Sequence, residues 1–167
     1  MIIVSDTTPL HYLILIERAQ LLADLFNSII IPESVFAELS HEKTPARVQQ
    51  WIADVPAWVE IKRASAANTE VAKNLGRGEA EAINLALEEK ADALLMDDRK
   101  AIREARKNNL TVITTLGVLE LASIKSLIDF PAVLNELAQT SFRLPPDEIM
   151  AELLNRYKIR KQTLPET

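Results

Sequence analysis

The sequence contains no cysteine and only two histidines, His11 and His41, among its 167 residues. The lack of cysteine excludes disulfides, zinc–thiolate sites, iron–sulfur clusters and cysteine nucleophiles. Two histidines are too few for a histidine-rich metal site, and they argue against a Ser-His-Asp triad. We therefore expect any chemistry of this chain to use carboxylates, hydroxyls, lysine or arginine.

Glycine is also scarce, with only Gly76, Gly78 and Gly117 in the whole chain. Glycine is the residue that most often ends a helix, because it adopts positive φ without steric cost. We therefore expect most helices of this protein to end without it.

The chain has no excess of basic residues and no long apolar run. Its formal net charge is −5, from 24 acidic and 19 basic residues, so it lacks the overall basic charge of many nucleic-acid-binding proteins. A cluster of metal-binding carboxylates would supply most of the excess of acidic over basic residues. The N-terminus reaches its first charge at Asp6 and has no basic region before it, unlike a signal peptide. No stretch is long and uncharged enough to span a membrane, so we expect a cytoplasmic protein.

Short apolar segments alternate with helical patterns along the chain. Segments 2–5, 28–31, 93–96 and 111–114 are typical of strands buried on both faces, and 58–61 of an edge strand or a linker. Helices are expected between them, the first capped by Thr8 and started by Pro9. This alternation predicts a three-layer α/β sandwich around a mostly parallel sheet of four to five strands.

Carboxylates follow two of the predicted strands. Asp6 comes directly after the first strand, and Asp97 and Asp98 follow the strand that ends at Met96. Ligands of parallel α/β sheets bind outside the carboxyl ends of the strands, so these acids are candidates for a functional site. The alternative is helix capping, which suits Asp98 best because a helical segment starts right after it.

Two further glutamates are candidates. Glu79 shares a helix face with apolar Ala82, Ile83 and Ala86 and is expected to point inward, whereas Glu81 is expected to point to solvent. An inward carboxylate is costly unless it is paired or binds a metal, although complementing the helix dipole is a second explanation.

Glu38 borders the apolar face of the short helix between Pro32 and Ser40, a weaker signal on its own. A site built from carboxylates, with no cysteine or histidine, offers the hard oxygen ligands that select Mg²⁺ or Mn²⁺. Such ions promote attack of water on phosphate, so a phosphodiesterase or a phosphomonoesterase is expected.

At these residues the sequence resembles the PIN-domain family, in particular a branch related to VapC-type toxins of toxin–antitoxin modules. The resemblance covers about residues 2–125 in five ordered segments. These are VSDTTPL at 4–10, VFAEL at 35–39, GEAEAI at 78–83, LLMDDR at 94–99 and TTLGVL at 114–119.

The resemblance implies a PIN-like nuclease domain, which we expect over residues 1–140. Residues 126–167 carry no part of the resemblance, and we expect a helical appendage and basic tail over 141–167. It implies an endoribonuclease in which Asp6, Glu38, Glu79 and either Asp97 or Asp98 hold Mg²⁺ or Mn²⁺. It also implies a homodimer and a small antitoxin as partner. The hydroxyls of Thr7 and Thr8 are implied to position an acid, the water or the substrate.

The segment 99–107 is rich in arginine and lysine and begins beside the candidate acids. We predict that it contacts substrate phosphates, with Arg99 nearest and Arg103 next, although a solvated outer face explains the same charges. A second basic cluster lies over 156–161. It is consistent with a solvated tail, with a nucleic-acid contact or with an antitoxin-binding surface.

Two other functions compete with the ribonuclease. A haloacid-dehalogenase-like phosphatase also places an aspartate after the first strand and acids after a later one, but it gives an inward Glu79 no role. The second is a non-catalytic PIN-like domain that acts through binding.

Overall fold

The computed structural model describes residues 1–65 and 75–163. Within them, five strands form one sheet in the order β3-β2-β1-β4-β5, and every neighbouring pair is parallel. The strands are β1 (Ile3–Ser5), β2 (Ile29–Pro32), β3 (Val59–Lys62), β4 (Ala93–Leu95) and β5 (Val112–Ile113). The predicted α/β architecture with a parallel sheet flanked by helices is therefore confirmed.

Nine helices lie in these described ranges. They are α1 (Thr7–Leu15), α2 (Gln20–Phe26), α3 (Glu33–Leu39), α4 (Ala46–Ala53), α5 (Arg77–Glu88), α6 (Arg99–Lys107), α7 (Thr115–Ile124), α8 (Phe130–Ala138) and α9 (Asp147–Thr163). Within these ranges, no helix is long and apolar enough to cross a membrane.

The central strands are buried on both faces. Every residue of β1, β2 and β4 is buried, whereas the edge strands β3 and β5 are partly accessible. Apolar side chains of β1 and β4 pack against α5 and α6, with Val4, Ile83, Leu85 and Leu94 at most 1 % exposed. Burial of each such large side chain stabilises the fold by about 2 kcal/mol, which fixes the strand ends that carry the acids.

The scarcity of glycine shows in the helix ends. All five described positive-φ positions are occupied by residues other than glycine, and each follows a helix: Glu17, Asn27, Lys90, Asn109 and Ser126. The expectation that helices end without glycine is thus confirmed. Two of the five are asparagine, which tolerates this conformation best among the non-glycine residues.

The start of α1 differs from the prediction. The helix begins at Thr7, so Asp6 and not Thr8 occupies the N-cap position, and Thr8 lies inside the first turn. The Asp6 side chain makes no capping hydrogen bond to the first turn at N2 or N3. Its carboxylate therefore leaves the N2 and N3 backbone N–H groups of α1 without a side-chain cap.

The chain divides into two compact units, Met1–Val118 and Leu119–Thr167. The first contains the sheet and all the candidate acids. Inside the second, Glu120 forms an ion pair with Arg160, and the Tyr157 hydroxyl donates to Asp129, the N-cap of α8. These contacts bind α9 to the rest of its own unit. The boundary predicted at residue 140 stays a prediction.

Candidate active site

Two carboxylates lie at the carboxyl ends of adjacent strands. Strand β1 pairs with β4 so that Ser5 lies opposite Leu95, and the Asp6 N–H continues the ladder by donating to the Leu95 carbonyl at 3.0 Å. Asp6 follows this shared register directly, and Asp97 follows it one residue later, after Met96. The parallel pairing thus brings two acids, separated by about ninety residues in sequence, to one edge of the sheet.

Asp6 is the most buried of the candidate acids, with 3 % exposure. Burial raises its pKa to about 7, opposed by a hydrogen bond from the Thr7 backbone and reinforced by the charges of Glu79, Glu38 and Asp97. These three acids therefore surround Asp6 closely enough to act on its titration. A buried carboxylate among other carboxylates is unfavourable unless a proton or a cation neutralises it.

Glu38 is fixed beside Asp6 by a neighbouring hydroxyl. The Thr7 hydroxyl donates to Glu38 Oε2 at 2.6 Å, which joins the first turn of α1 to α3. Gly78 at the start of α5 packs on the same atoms: a Cβ there would lie 3.2 Å from Glu38 Oε2 and 3.7 Å from Asp6 Oδ1. The absence of a side chain at position 78 thus lets α5 approach both acids.

Glu79 faces the same space from the first turn of α5. Its Oε2 accepts a hydrogen bond from the Gly76 backbone N–H at 2.9 Å, so it also caps the helix. The prediction that Glu81 points to solvent was wrong: its side chain is only 20 % exposed, and it pairs with Arg77 at 2.8 Å. A partner one helical turn earlier was the available signal.

The adjacent aspartates have different environments. Asp97 accepts two hydrogen bonds from Thr115, from the backbone N–H at 2.9 Å and from the hydroxyl at 2.5 Å. Burial raises the pKa of Asp97, and the Thr115 hydrogen bonds oppose this rise. Asp98 is exposed and caps α6, accepting from the Lys100 and Ala101 backbone N–H groups. Capping therefore accounts for Asp98, as the alternative reading held.

A cavity of about 650 Å³ opens at this edge of the sheet. Sequence reasoning missed three of its lining residues that carry polar or charged side chains, Glu33, Ser34 and Arg77. Glu33 directly follows β2, so the strand-end rule applied to that strand would have found it. The described residues that line the cavity are Asp6, Thr7, Thr8, Glu33, Ser34, Ala37, Glu38, Gly76, Arg77, Gly78 and Glu79.

The candidate substrate-binding residues are placed unevenly. Thr7 and Thr8 both line the cavity. Arg99 and Arg103 are exposed on α6 and are not among the described residues that line it. Their contact with a substrate stays a prediction, because α6 begins beside the acids but projects its charges to solvent.

A divalent ion is the cofactor that this chemistry suggests, and the donors can be tested for it. Over residues 1–65 and 75–163, no three acidic or histidine side chains are arranged to coordinate one ion directly. Protein donors already contact oxygens of Glu38, Glu79 and Asp97. The donor set is nevertheless all oxygen and surrounds a buried acid, which suits Mg²⁺ because that ion keeps several of its own waters.

A parallel α/β sheet with a cluster of carboxylates at its central strand ends defines a class of proteins suited to phosphate chemistry assisted by divalent ions. A family model described as DUF3368, a PIN domain, matches residues 2–158. The chain therefore belongs to the PIN-domain family, whose members are generally nucleases. Neither the search of curated proteins nor the search of solved structures returned a significant match.

Proposed function

We propose that this protein is a metal-dependent endoribonuclease that hydrolyses phosphodiester bonds of RNA by attack of water. The observation that carries the proposal is the environment of Asp6. This acid is 3 % exposed, and the charges of Glu79, Glu38 and Asp97 all raise its pKa. Such a concentration of negative charge has a physical reason if a divalent cation occupies the site.

In this proposal, Asp6, Glu38, Glu79 and Asp97 hold Mg²⁺ or Mn²⁺, in part through water. When bound, the ion would neutralise charge that develops on the phosphate and favour the nucleophilic form of water. Asp97 is the better fourth acid, because both of its oxygens are oriented by Thr115 and its charge acts on Asp6. Asp98 is committed to the end of α6.

The remaining residues orient these acids. The Thr7 hydroxyl fixes the direction of Glu38, and the Gly76 N–H fixes that of Glu79. Preorganised carboxylates need no rearrangement when the cation and substrate bind, which favours catalysis. Thr8 lines the cavity where the substrate would lie, and Arg99 and Arg103 extend the contact to phosphates outside it.

The finer parts of the proposal rest on the resemblance to VapC-type toxins. They are that the protein is the toxin of a toxin–antitoxin module, that it forms a homodimer and that it acts in the cytoplasm. A small reading frame beside the gene, and co-purification of its product with this chain, would support the first of these.

The proposal is tested by incubating a mixed RNA pool with the purified full chain in Mg²⁺, in Mn²⁺ and in EDTA. We expect cleavage only with a metal, and we expect Asp6→Asn and Glu79→Gln to abolish it. Glu104→Gln on α6 is the matched control, since Glu104 pairs with Lys107 and is not among the described residues that line the cavity.

Two results would contradict the proposal. If the protein leaves RNA intact and hydrolyses a phosphomonoester through Asp6, the phosphatase alternative is correct. If it does neither but binds RNA, the protein is a binding domain of the PIN family.

A further inference from the structure

One basic side chain stands among the acids of the cavity. Arg77 is the only lysine or arginine among the described lining residues, which include Asp6, Glu33, Glu38 and Glu79. An RNA phosphate that approaches four carboxylates is repelled by all of them. A cation on the wall of the cavity reduces this repulsion, in addition to any ion held by the acids.

The position of Arg77 is fixed from one side. Its Nε donates to Glu81 Oε1 at 2.8 Å, across one helical turn of α5. The Glu81 side chain is only 20 % exposed, whereas that of Arg77 is 84 % exposed. In this ion pair Glu81 is therefore shielded from solvent, and the guanidinium group of Arg77 is accessible. Because Arg77 is bonded to Glu81 through Nε, its two terminal amino groups can donate to another acceptor.

The accessible guanidinium group of Arg77 is suited to binding phosphate. Arginine presents its N–H groups in a planar fork that matches two phosphate oxygens, and it stays charged at all physiological pH values. The Glu81 hydrogen bond, the Glu81 charge and the charge of Glu33 raise the pKa of Arg77 further.

We propose that Arg77 binds a phosphate of the RNA at the mouth of the acidic cavity and that Glu81 positions it for this contact. This inference rests on the proposed function, since it names how the same site receives its substrate. It gives Glu81 a positioning role, while Glu79 faces Asp6 from the same helix.

A purely structural role makes different predictions. If Arg77 only neutralises Glu33 and Glu81, its removal lowers stability without a specific effect on RNA. If it binds phosphate, its removal lowers both the RNA affinity and the dependence of that affinity on salt.

The test uses the full chain in an Asp6→Asn background, which stops cleavage under the proposed function and leaves Arg77 and Glu81 in place. Binding of a fluorescent single-stranded RNA of randomised sequence is measured by anisotropy over a range of salt concentrations. Arg77→Ala, Arg77→Lys and Glu81→Gln are compared with Arg47→Ala. Arg47 is a suitable control because it also pairs with a carboxylate, Glu17, and is not among the described lining residues.

We expect Arg77→Ala to weaken RNA binding about tenfold and to reduce the slope of log affinity against log salt by about 0.7. Arg77→Lys keeps the positive charge and therefore the slope, but it loses the planar fork of N–H groups. We therefore expect its affinity for RNA to lie between those of the Asp6→Asn parent and the Arg77→Ala variant. Glu81→Gln weakens binding and leaves the slope unchanged. Thermal unfolding of each variant separates these effects from misfolding.

The outcomes distinguish this inference from the proposed function. If the wild type cuts RNA but Arg77→Ala binds RNA as Arg47→Ala does, the inference is wrong and the ribonuclease stands. If Arg77→Ala loses affinity while the wild type never cuts RNA, Arg77 binds phosphate and the ribonuclease is wrong. Failure of the Asp6→Asn protein to bind RNA at all overturns the inference.

Discussion

Thr115 donates to both carboxylate oxygens of Asp97, from its backbone N–H at 2.9 Å and from its hydroxyl at 2.5 Å. Thr115 is fully buried and is the first residue of α7. Only Thr114 separates it from the end of β5. The edge strand β5 therefore serves the site through a residue that is not itself a candidate ligand. A charge-assisted pair of this kind fixes one rotamer of the acid.

Thr115→Val tests this role of the hydroxyl while it keeps the size of the side chain. It removes one donor to Asp97 and leaves the backbone N–H, so we expect RNA cleavage to fall about tenfold. Because hydrogen bonding to Thr115 lowers the Asp97 pKa, its loss shifts the acidic limb of the pH–rate profile to higher pH. Thr115→Ser keeps the donor and is expected to retain activity; equal rates in both variants would contradict the prediction.

Gly78→Ala is expected to impair the site without unfolding the protein. The new Cβ would lie 3.2 Å from Glu38 Oε2, so Glu38 must shift by a few tenths of an ångström, which disturbs its hydrogen bond with the Thr7 hydroxyl. Position 78 lies in α5 and shows no positive φ, and alanine favours helix over glycine. We therefore expect cleavage to drop while the melting temperature stays constant or rises.

Gly76→Ala is the matched control for that substitution. A Cβ at position 76 would lie 3.5 Å from Glu79 Oε2, an ordinary van der Waals distance. Cleavage should therefore change little, although replacement of the N-cap glycine lowers stability slightly. An equal loss of cleavage in the two alanine variants would show that Gly78 has no special relation to Glu38.

Asp6 makes the stability of the metal-free protein depend on pH. Its pKa is about 7 in the folded state and about 3.8 as an ordinary carboxyl, so folding favours the protonated form. The contribution of Asp6 to stability is therefore complete below about pH 4 and is lost as the pH rises to about 7, by at most about 4 kcal/mol. Asp6→Asn should raise the free energy of unfolding in EDTA at pH 8 and change it little at pH 4.

The measurement is urea unfolding at both pH values, with and without Mg²⁺. At pH 8, Mg²⁺ should stabilise the wild type and have no effect on Asp6→Asn. Destabilisation of the variant by the same amount at both pH values would mean that the carboxylate of Asp6 is not strained by its neighbours.

Lys90→Gly addresses the ends of the helices. Lys90 lies just after α5 with a φ of 51°, a conformation that costs a non-glycine residue about 1 kcal/mol or more. Glycine removes that cost but adds freedom to the unfolded chain, so the net gain in stability should be about 0.5 kcal/mol. A lower melting temperature for the variant would show that the lysine side chain makes a stabilising contact.

Much of the fold follows from local patterns. Short apolar segments predicted four of the five strands within about a residue, because buried parallel strands require continuous apolar residues, whereas segment 58–61, where β3 lies, was left open between an edge strand and a linker. The helix α2 escaped prediction, since it is only seven residues long, follows a polar turn closely and lacks a capping signal; its buried residues are Leu21, Leu22 and Phe26. Its helical state depends on burial of those three side chains.

The site was predictable only in part. Strand-end position and helix face identified Asp6, Asp97 and Glu79, because both depend on local periodicity. The contacts of Thr115 with Asp97 and of Gly78 with Glu38 join residues distant in sequence, and no local pattern encodes them. The ion pair of Arg77 with Glu81 was local, but it became meaningful only once the cavity beside it was known.

The most direct test of the central claim is a titration of the purified full chain with Mn²⁺, followed by electron paramagnetic resonance of the free ion. The central claim is that the carboxylates around Asp6 form a binding site for a divalent cation. We expect saturable Mn²⁺ binding that Mg²⁺ displaces, that Asp6→Asn abolishes and that Glu104→Gln retains. Identical Mn²⁺ binding by the wild type and Asp6→Asn, or no binding by either, would contradict it.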